Sequence, residues 1–210
     1  MIRMVLFVLL GYLSGSVLYA NIAVALFGKQ GVLERSSDRN PGTANAFQYG
    51  GFGCGVVTLA GDLLKGYLPV HLYLSGALAG VFSGAEAPAW GLTLVLLAPV
   101  VGHVFSCLHH FHGGKGIAVT FGSLLGLAPD LLPLCVFAAA FIFFSTVIRI
   151  SPDFYRTIAA YLATGVLMGV LHPSLAVRLG FYLITGVVCY RMYSSDEEKE
   201  KLRIRVLWKH

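Results

Sequence analysis

Charge is what this 210-residue chain has least of: Asp, Glu, Lys and Arg together supply 12% of it, about half the share usual in a soluble domain. The few charges are also crowded, ten of the 25 (15 basic, 10 acidic) lying in 191–210 and five between Lys29 and Arg39. A soluble fold of this length needs a mostly polar exterior over one core. A chain that is 57% hydrophobic with a mean hydropathy of +0.76 cannot supply one. An ordinary cytosolic enzyme is excluded, and the composition reads as an all-α, polytopic integral membrane helix bundle. Cysteine is sparse as well. Cys54, Cys107, Cys135 and Cys189 are scattered and have neither disulfide-framework nor zinc-site spacing, so they read as small buried hydrophobes. No G-x-S-x-G nucleophile elbow occurs. The full Walker spacing is missing too, because Gly116 follows Lys115 where a Ser or Thr is required.

What is present is a series of apolar runs long enough to cross a bilayer. Spans are expected at about 2–27, 51–82, 90–107, 117–128, 131–148, 157–171 and 174–190. The second, interrupted by Asp62, Lys65, Gly66 and Pro69, is read as one long bent helix, with a re-entrant turn as the rival. The first has no polar region with a processing site and is expected to be a retained span. The organisation expected is a transmembrane domain over 1–190 and a charged cytoplasmic tail over 191–210. If the loops after spans one, three, five and seven share a side, that side holds 12 of the 15 basic residues; the other holds Arg3 and Arg178, and Lys65 lies within a span. The positive-inside rule then places the N-terminus outside and the C-terminus inside. The same rule accounts for the formal charge of +5 without a nucleic-acid partner. All three unusual loops fall on the cytoplasmic side.

Four groups of residues could carry chemistry. Gly113-Gly114-Lys115-Gly116 permits a tight backbone whose N–H groups converge on an anion, beside a lysine and a following helix N-terminus. The bland alternative is an interfacial turn with a snorkelling lysine. In Asn40-Pro41-Gly42-Thr43-Ala44-Asn45, Pro41-Gly42 sets a turn. Its uncharged donors and acceptors suit a phosphate or hydroxyl, or cap turns and helix ends. Asp62 and Lys65, three apart, share a helix face and either pair with each other or line a polar cavity. His103, His109, His110 and His112 lack the Cys or carboxylate that would complete a familiar metal site, so no metal is expected. In the tail, Leu202, Ile204, Val206 and Trp208 alternate with charges at period 2. That pattern reads as contact with the membrane surface or as an unstructured end.

Three stretches together carry a resemblance: SDRNPGTANAF at 37–47, GDLLKGYLPV at 61–70 and GHVFSCLHHFHGGKGIAV at 102–119. In order and spacing they resemble the bacterial acyl-phosphate:glycerol-3-phosphate acyltransferases, the small polytopic PlsY-type family. The resemblance runs over about 5–190. It implies a seven-span protein of the bacterial inner membrane with its active face in the cytoplasm. The implied reaction moves an acyl group from acyl-phosphate to the 1-hydroxyl of glycerol 3-phosphate, giving lysophosphatidic acid and phosphate for phospholipid synthesis, with no cofactor and no metal. It makes acyl-phosphate, glycerol 3-phosphate and membrane lipids the partners, and leaves the oligomeric state open. By motif position, His103 and Lys115 would be the catalytic residues, His103 orienting a neighbour or substrate and Lys115 neutralising phosphate. Asn40, Gly42, Thr43, Asn45, Gly113, Gly114 and Gly116 would hold the substrates, with Asp38, Asp62, Lys65 and Arg149 in support. Three departures are visible. Asp38 stands where the family has serine, Gln48 where it has an arginine, and the family's C-terminal His, Asn-Ile and Arg pattern is absent. An anionic-solute transporter and a non-catalytic membrane subunit therefore stand beside the enzyme reading.

Overall fold

The computed structural model describes residues 1–29, 31, 33, 36, 40–78, 80, 88, 90–195 and 201–207. The chain is mainly helical. The first apolar run forms α1 (Ile2–Ser16) and α2 (Tyr19–Leu26), separated by an extended Val17-Leu18 link. Next come α3 (Thr43–Gly50) and α4 (Phe52–Leu74). α5 (Gly91–Val104), α6 (Ile117–Leu125) and α7 (Leu132–Ile142) follow. A wide π-type turn, Phe143–Val147, leads from α7 into β1 (Ile148–Ser151). Two long helices, α8 (Asp153–Leu171) and α9 (Leu175–Tyr193), precede β2 (Arg203–Val206).

Among the described residues, four helical stretches are long and apolar enough to cross a membrane: Ile2–Leu26, Gly91–His109, Asp153–Leu171 and Leu175–Tyr193. α4 has the length, at 23 residues, but carries Asp62 and Lys65 at its middle. α6, with 9 residues, rises only about 13 Å, well short of the roughly 30 Å hydrocarbon core. The outward face of α8 shows what surrounds the bundle. Leu162, Val166 and Val170, one helical turn apart, are 55%, 70% and 81% exposed. Such a stripe is a liability in water and ordinary against lipid.

Close helix contact explains several small residues. A side chain on Gly66 would strike the Val119 carbonyl of α6, and one on Gly122 would strike the Leu63 carbonyl of α4. The two backbones therefore approach through paired glycines, as membrane helices commonly do. The aromatic centre of the bundle is Phe137, Tyr161 and Phe181, with the Phe137 and Tyr161 rings 4.7 Å apart. The Tyr161 hydroxyl donates to Thr120 Oγ1 at 2.8 Å.

Three expectations change. The 28–50 stretch is not all loop, since α3 starts immediately after Gly42. The bent helix expected over 51–82 ends at Leu74, where the Ser75 N–H bonds to His71 and Gly76 takes a positive φ of 75°. In the tail the period-2 alternation is that of a strand, with β2 pairing antiparallel to β1.

Candidate active site

A cavity of about 670 Å³ opens between α3, α4, α5, α6 and the start of α8. Its wall is chemically mixed. Asn40, Thr43, Asn45, Gln48, Asp62, His103, Lys115, Asp153 and Arg156 line it together with Leu59, Leu63, Phe121, Leu125, Leu134 and Phe141.

The polar residues of the lining rest on a buried network that begins with the break between α1 and α2. Continuing the helix through Val17 would leave its carbonyl inside the helical ladder. In the extended link that oxygen is free for another donor, and Lys65 Nζ reaches it at 2.6 Å. The same ammonium is 2.8 Å from Asp62 Oδ1 and 2.7 Å from His103 Nδ1. The ammonium thus faces three partners at once, two through hydrogen bonds and Asp62 through the ion pair. Asp62 and Lys65 are only 1% and 2% exposed, so their charges persist there because each compensates the other. Because His103 Nδ1 accepts from an ammonium, the ring keeps its proton on Nε2. The neighbouring Ser16 carbonyl, also freed by the break, accepts from Ser106 Oγ at 2.6 Å, which fixes the end of α5 to the same point.

This network joins the two loops that the sequence singles out. On one side Thr43 Oγ1 donates to Asp62 Oδ2 at 3.4 Å. The Asn40-to-Asn45 loop closes on itself, with the Gly42 N–H donating to the Asn40 carbonyl at 2.8 Å and Asn45 Nδ2 to the same oxygen at 2.9 Å. On the other side the Gly114 N–H donates to the His103 carbonyl at 3.1 Å. A Cβ on Gly114 would run into His103 Nε2, and one on Gly113 into the His103 carbonyl. Only glycine lets this loop lie flat on His103. Arg191, in the last turn of α9, donates to the Gly113 carbonyl at 2.9 Å. Gly116 then takes a left-handed φ of 84° as α6 begins, which brings Lys115 and the first turn of α6 to the cavity wall.

Of the residues expected from sequence, Asn40, Gly42, Thr43, Asn45, Asp62, His103, Lys115 and Gly116 line one cavity. Lys65 lies behind the wall, and Gly113 and Gly114 are set against His103. Arg149 is not at this site; it is on β1, in a separate recess with Ser151, Arg203 and Arg205. Asp38 lies outside the described residues, as do Arg35, Arg39 and Trp208. Sequence reasoning missed Arg156 and Asp153, which pair at 2.8 Å at the start of α8 and line the same cavity. It also missed Arg191 as a support of the glycine loop. Among the described residues no cluster of His, Cys, Asp or Glu suited to a metal ion is found.

Fold and site together define a class: a helical integral membrane protein whose bundle encloses a cavity lined by cationic and polar residues together with apolar ones. Within that class the chain belongs to the glycerol-3-phosphate acyltransferase family, whose model matches residues 5–199. A glycerol-3-phosphate acyltransferase of Endomicrobium trichonymphae is 31% identical over 211 residues, covering 97% of this chain and 98% of that one. One from Klebsiella pneumoniae is 39% identical over 124 residues, 59% of this chain and 56% of its own. Against that relative the match thus spans little more than half its length. Two crystal structures of PlsY, an integral membrane glycerol 3-phosphate acyltransferase, share the fold at 25% identity. Its glycerol 3-phosphate form aligns with a TM-score of 0.70 over 90% of this chain and 88% of that one. The lysophosphatidic acid form aligns with a TM-score of 0.68 over 90% and 87%.

Proposed function

We propose that this chain transfers an acyl group from acyl-phosphate to the 1-hydroxyl of glycerol 3-phosphate, producing lysophosphatidic acid and inorganic phosphate. The observation that carries the proposal is the make-up of the cavity wall. Lys115 and Arg156 in the lining suit two phosphorylated groups, and the leucines and phenylalanines that share it suit an acyl chain. The chain's membership of the acyltransferase family supports the same reading.

In the reaction the C1 oxygen of glycerol 3-phosphate bonds to the acyl carbon, and the bond from that carbon to the phosphate oxygen breaks. The hydroxyl proton leaves on the departing phosphate, so the protein need not supply a base. Its part is to hold two anions together and to stabilise the charge that gathers on the carbonyl and phosphate oxygens. Lys115 contacts substrate phosphate, assisted by Arg156. Asn45, Thr43 and Gln48 offer uncharged contacts to the glycerol. His103 is a positioning residue, its Nδ1 committed to Lys65 and its Nε2 facing the Gly114 backbone. The Asp62–Lys65 pair that motivates a transporter reading is fully occupied in tying the two loops together.

We infer seven crossings, made by α1 with α2, α4, α5, α6, α7, α8 and α9, the short α6 completing its crossing with the non-helical residues on either side of it, with the N-terminus outside and the cavity mouth facing the cytoplasm of a bacterial inner membrane. The distribution of basic residues supports this orientation. Arg3 meets backbone at the end of α4, and Arg178 donates to the Gly169 carbonyl near the end of α8, both at the end of the bundle away from the cavity.

The test is a mass-detected assay of purified protein with acyl-phosphate and glycerol 3-phosphate, with acyl-CoA as a competing donor and other polyol phosphates as acceptors. Lysophosphatidic acid formed from acyl-phosphate is the expected product. Binding of both substrates without turnover would refute the reading in favour of a non-catalytic subunit, and solute uptake into proteoliposomes without covalent change would do so in favour of a transporter.

A further inference from the structure

Antiparallel β1 and β2 place Arg149 opposite Arg205, and Ser151 opposite Arg203. Side chains alternate faces along a strand, so these four share one face of the ribbon, while Ile148, Ile150, Ile204 and Val206 share the other. The four line a recess of about 230 Å³, distinct from the cavity. Like charges directly opposite one another destabilise a strand pair, and an isolated two-stranded ribbon is marginal to begin with. Yet the carboxylate contacts found among the described residues are Lys65 with Asp62, Arg156 with Asp153, and His172 with Asp130. None of them neutralises the three arginines.

Three guanidinium forks and a hydroxyl around a small recess match the oxygens of a phosphate group, which arginine binds in a bidentate way. The surroundings are those of a membrane interface. The ribbon continues directly from the turn after α7, the Leu207 N–H donating to the Val147 carbonyl at 3.0 Å. Ile142, Phe143, Leu202 and Leu207 are exposed beside it. Cations next to exposed apolar side chains are the pattern by which proteins bind anionic headgroups while resting on the acyl boundary.

We propose that Arg149, Ser151, Arg203 and Arg205 form a second phosphate-group site, separate from the cavity, which takes the headgroup of an anionic phospholipid. Bound phosphate supplies the negative charge the ribbon lacks and holds the tail against the membrane surface.

The test uses the full chain in neutral detergent. Binding of dioctanoyl phosphatidylglycerol, dioctanoyl phosphatidylcholine and inorganic phosphate is measured by native mass spectrometry and thermal shift. Wild type, R203Q/R205Q and Ser151→Glu are compared, with Lys115→Ala as the control for phosphate in the cavity. Phosphatidylglycerol is expected to bind wild type and Lys115→Ala alike, and R203Q/R205Q at least tenfold more weakly. Ser151→Glu places a carboxylate among the arginines, so it should raise the melting temperature while removing lipid binding. That outcome keeps the proposal testable even if R203Q/R205Q unfolds. Inorganic phosphate bound in the same variant-sensitive way would support the phosphate-group site with a free anion as its occupant. Equal binding of all three probes to wild type, R203Q/R205Q and Ser151→Glu would overturn the site.

Discussion

Replacing Lys65 by Met separates what the buried network does for stability from what it does for catalysis. Met keeps most of the length and apolar volume but removes the ammonium. Asp62, 1% exposed, is then left as a buried carboxylate without its partner at 2.8 Å. The Val17 carbonyl loses its donor at 2.6 Å, in a link where no helical N–H replaces it. Breaking a buried ion pair from one side costs about 3–5 kcal/mol. For a domain of this length that is a melting shift of roughly 10 °C. Adding Asp62→Asn removes the uncompensated charge, and a neutral pair of similar volume is often tolerated well. The double variant should therefore recover most of the lost stability. It should not recover turnover, because His103 Nδ1 still lacks the group that orients it and the Thr43 loop has lost its carboxylate anchor. A loss of about 100-fold in kcat/KM is expected, the scale of a misplacement near 1 Å. Melting followed by intrinsic fluorescence in detergent, with the acyl-transfer assay on the same preparations, reads both quantities. A single variant as stable as wild type would refute the buried pair. A double variant that is both stable and fully active would refute the positioning role of the network.

Lys115→Ala should lower kcat/KM for acyl transfer by about 100-fold without changing the melting temperature, because it removes one charge-assisted phosphate contact from the cavity wall; unchanged turnover would remove Lys115 from the site. Arg156→Ala should raise KM for glycerol 3-phosphate by about tenfold or more, and a series of KM values at rising salt should show a weaker salt effect than in wild type. Gly114→Ala forces a methyl into His103 Nε2 and should abolish turnover in a protein that remains folded; wild-type rates would show that the loop is not held against that ring. Leu125→Trp fills space along the apolar part of the cavity lining and should move preference toward shorter acyl-phosphates in a chain-length series, with little effect on KM for glycerol 3-phosphate.

The parts of the site readable from sequence are those written in short, chemically unusual words. Gly113 to Gly116 and Asn40 to Asn45 stand out because nothing in a lipid-facing helix needs such residues. Asp62 and Lys65 stand out because charge in a span is costly. The link between them was hidden, because it depends on Val17, whose surroundings VLYANIAVALF read as uninterrupted apolar helix. Only the long-range lysine turns the Val17 carbonyl into an acceptor. Arg156 was hidden for a similar reason: it looks like an ordinary interfacial cation until the start of α8 is seen beside the start of α6. The strand character of 203–206 was written in its period-2 alternation, but its partner lies more than fifty residues earlier and no local signal names it.

The scarcity of charge bears directly on the chemistry. In the proposed reaction a leaving phosphate that accepts the hydroxyl proton frees the protein from providing a base, so the site needs cations and neutral donors. The cavity wall supplies both in Lys115, Arg156, Thr43 and Asn45, which leaves a buried histidine at its edge to serve geometry. The intramembrane carboxylate has the corresponding role: Asp62 lines the cavity but is held 2.8 Å from Lys65, and that pairing offsets its charge. Gln48, also in the lining, follows the same logic from the other direction. On the proposed reaction, with no cation at that position, the positive charge comes from Lys115 and from Arg156, whose guanidinium arrives on a different helix. Restoring a cation by Gln48→Arg in the Arg156→Ala background should then recover glycerol 3-phosphate binding, and a KM that stays at the Arg156→Ala value would show that the two positions do not serve the same phosphate.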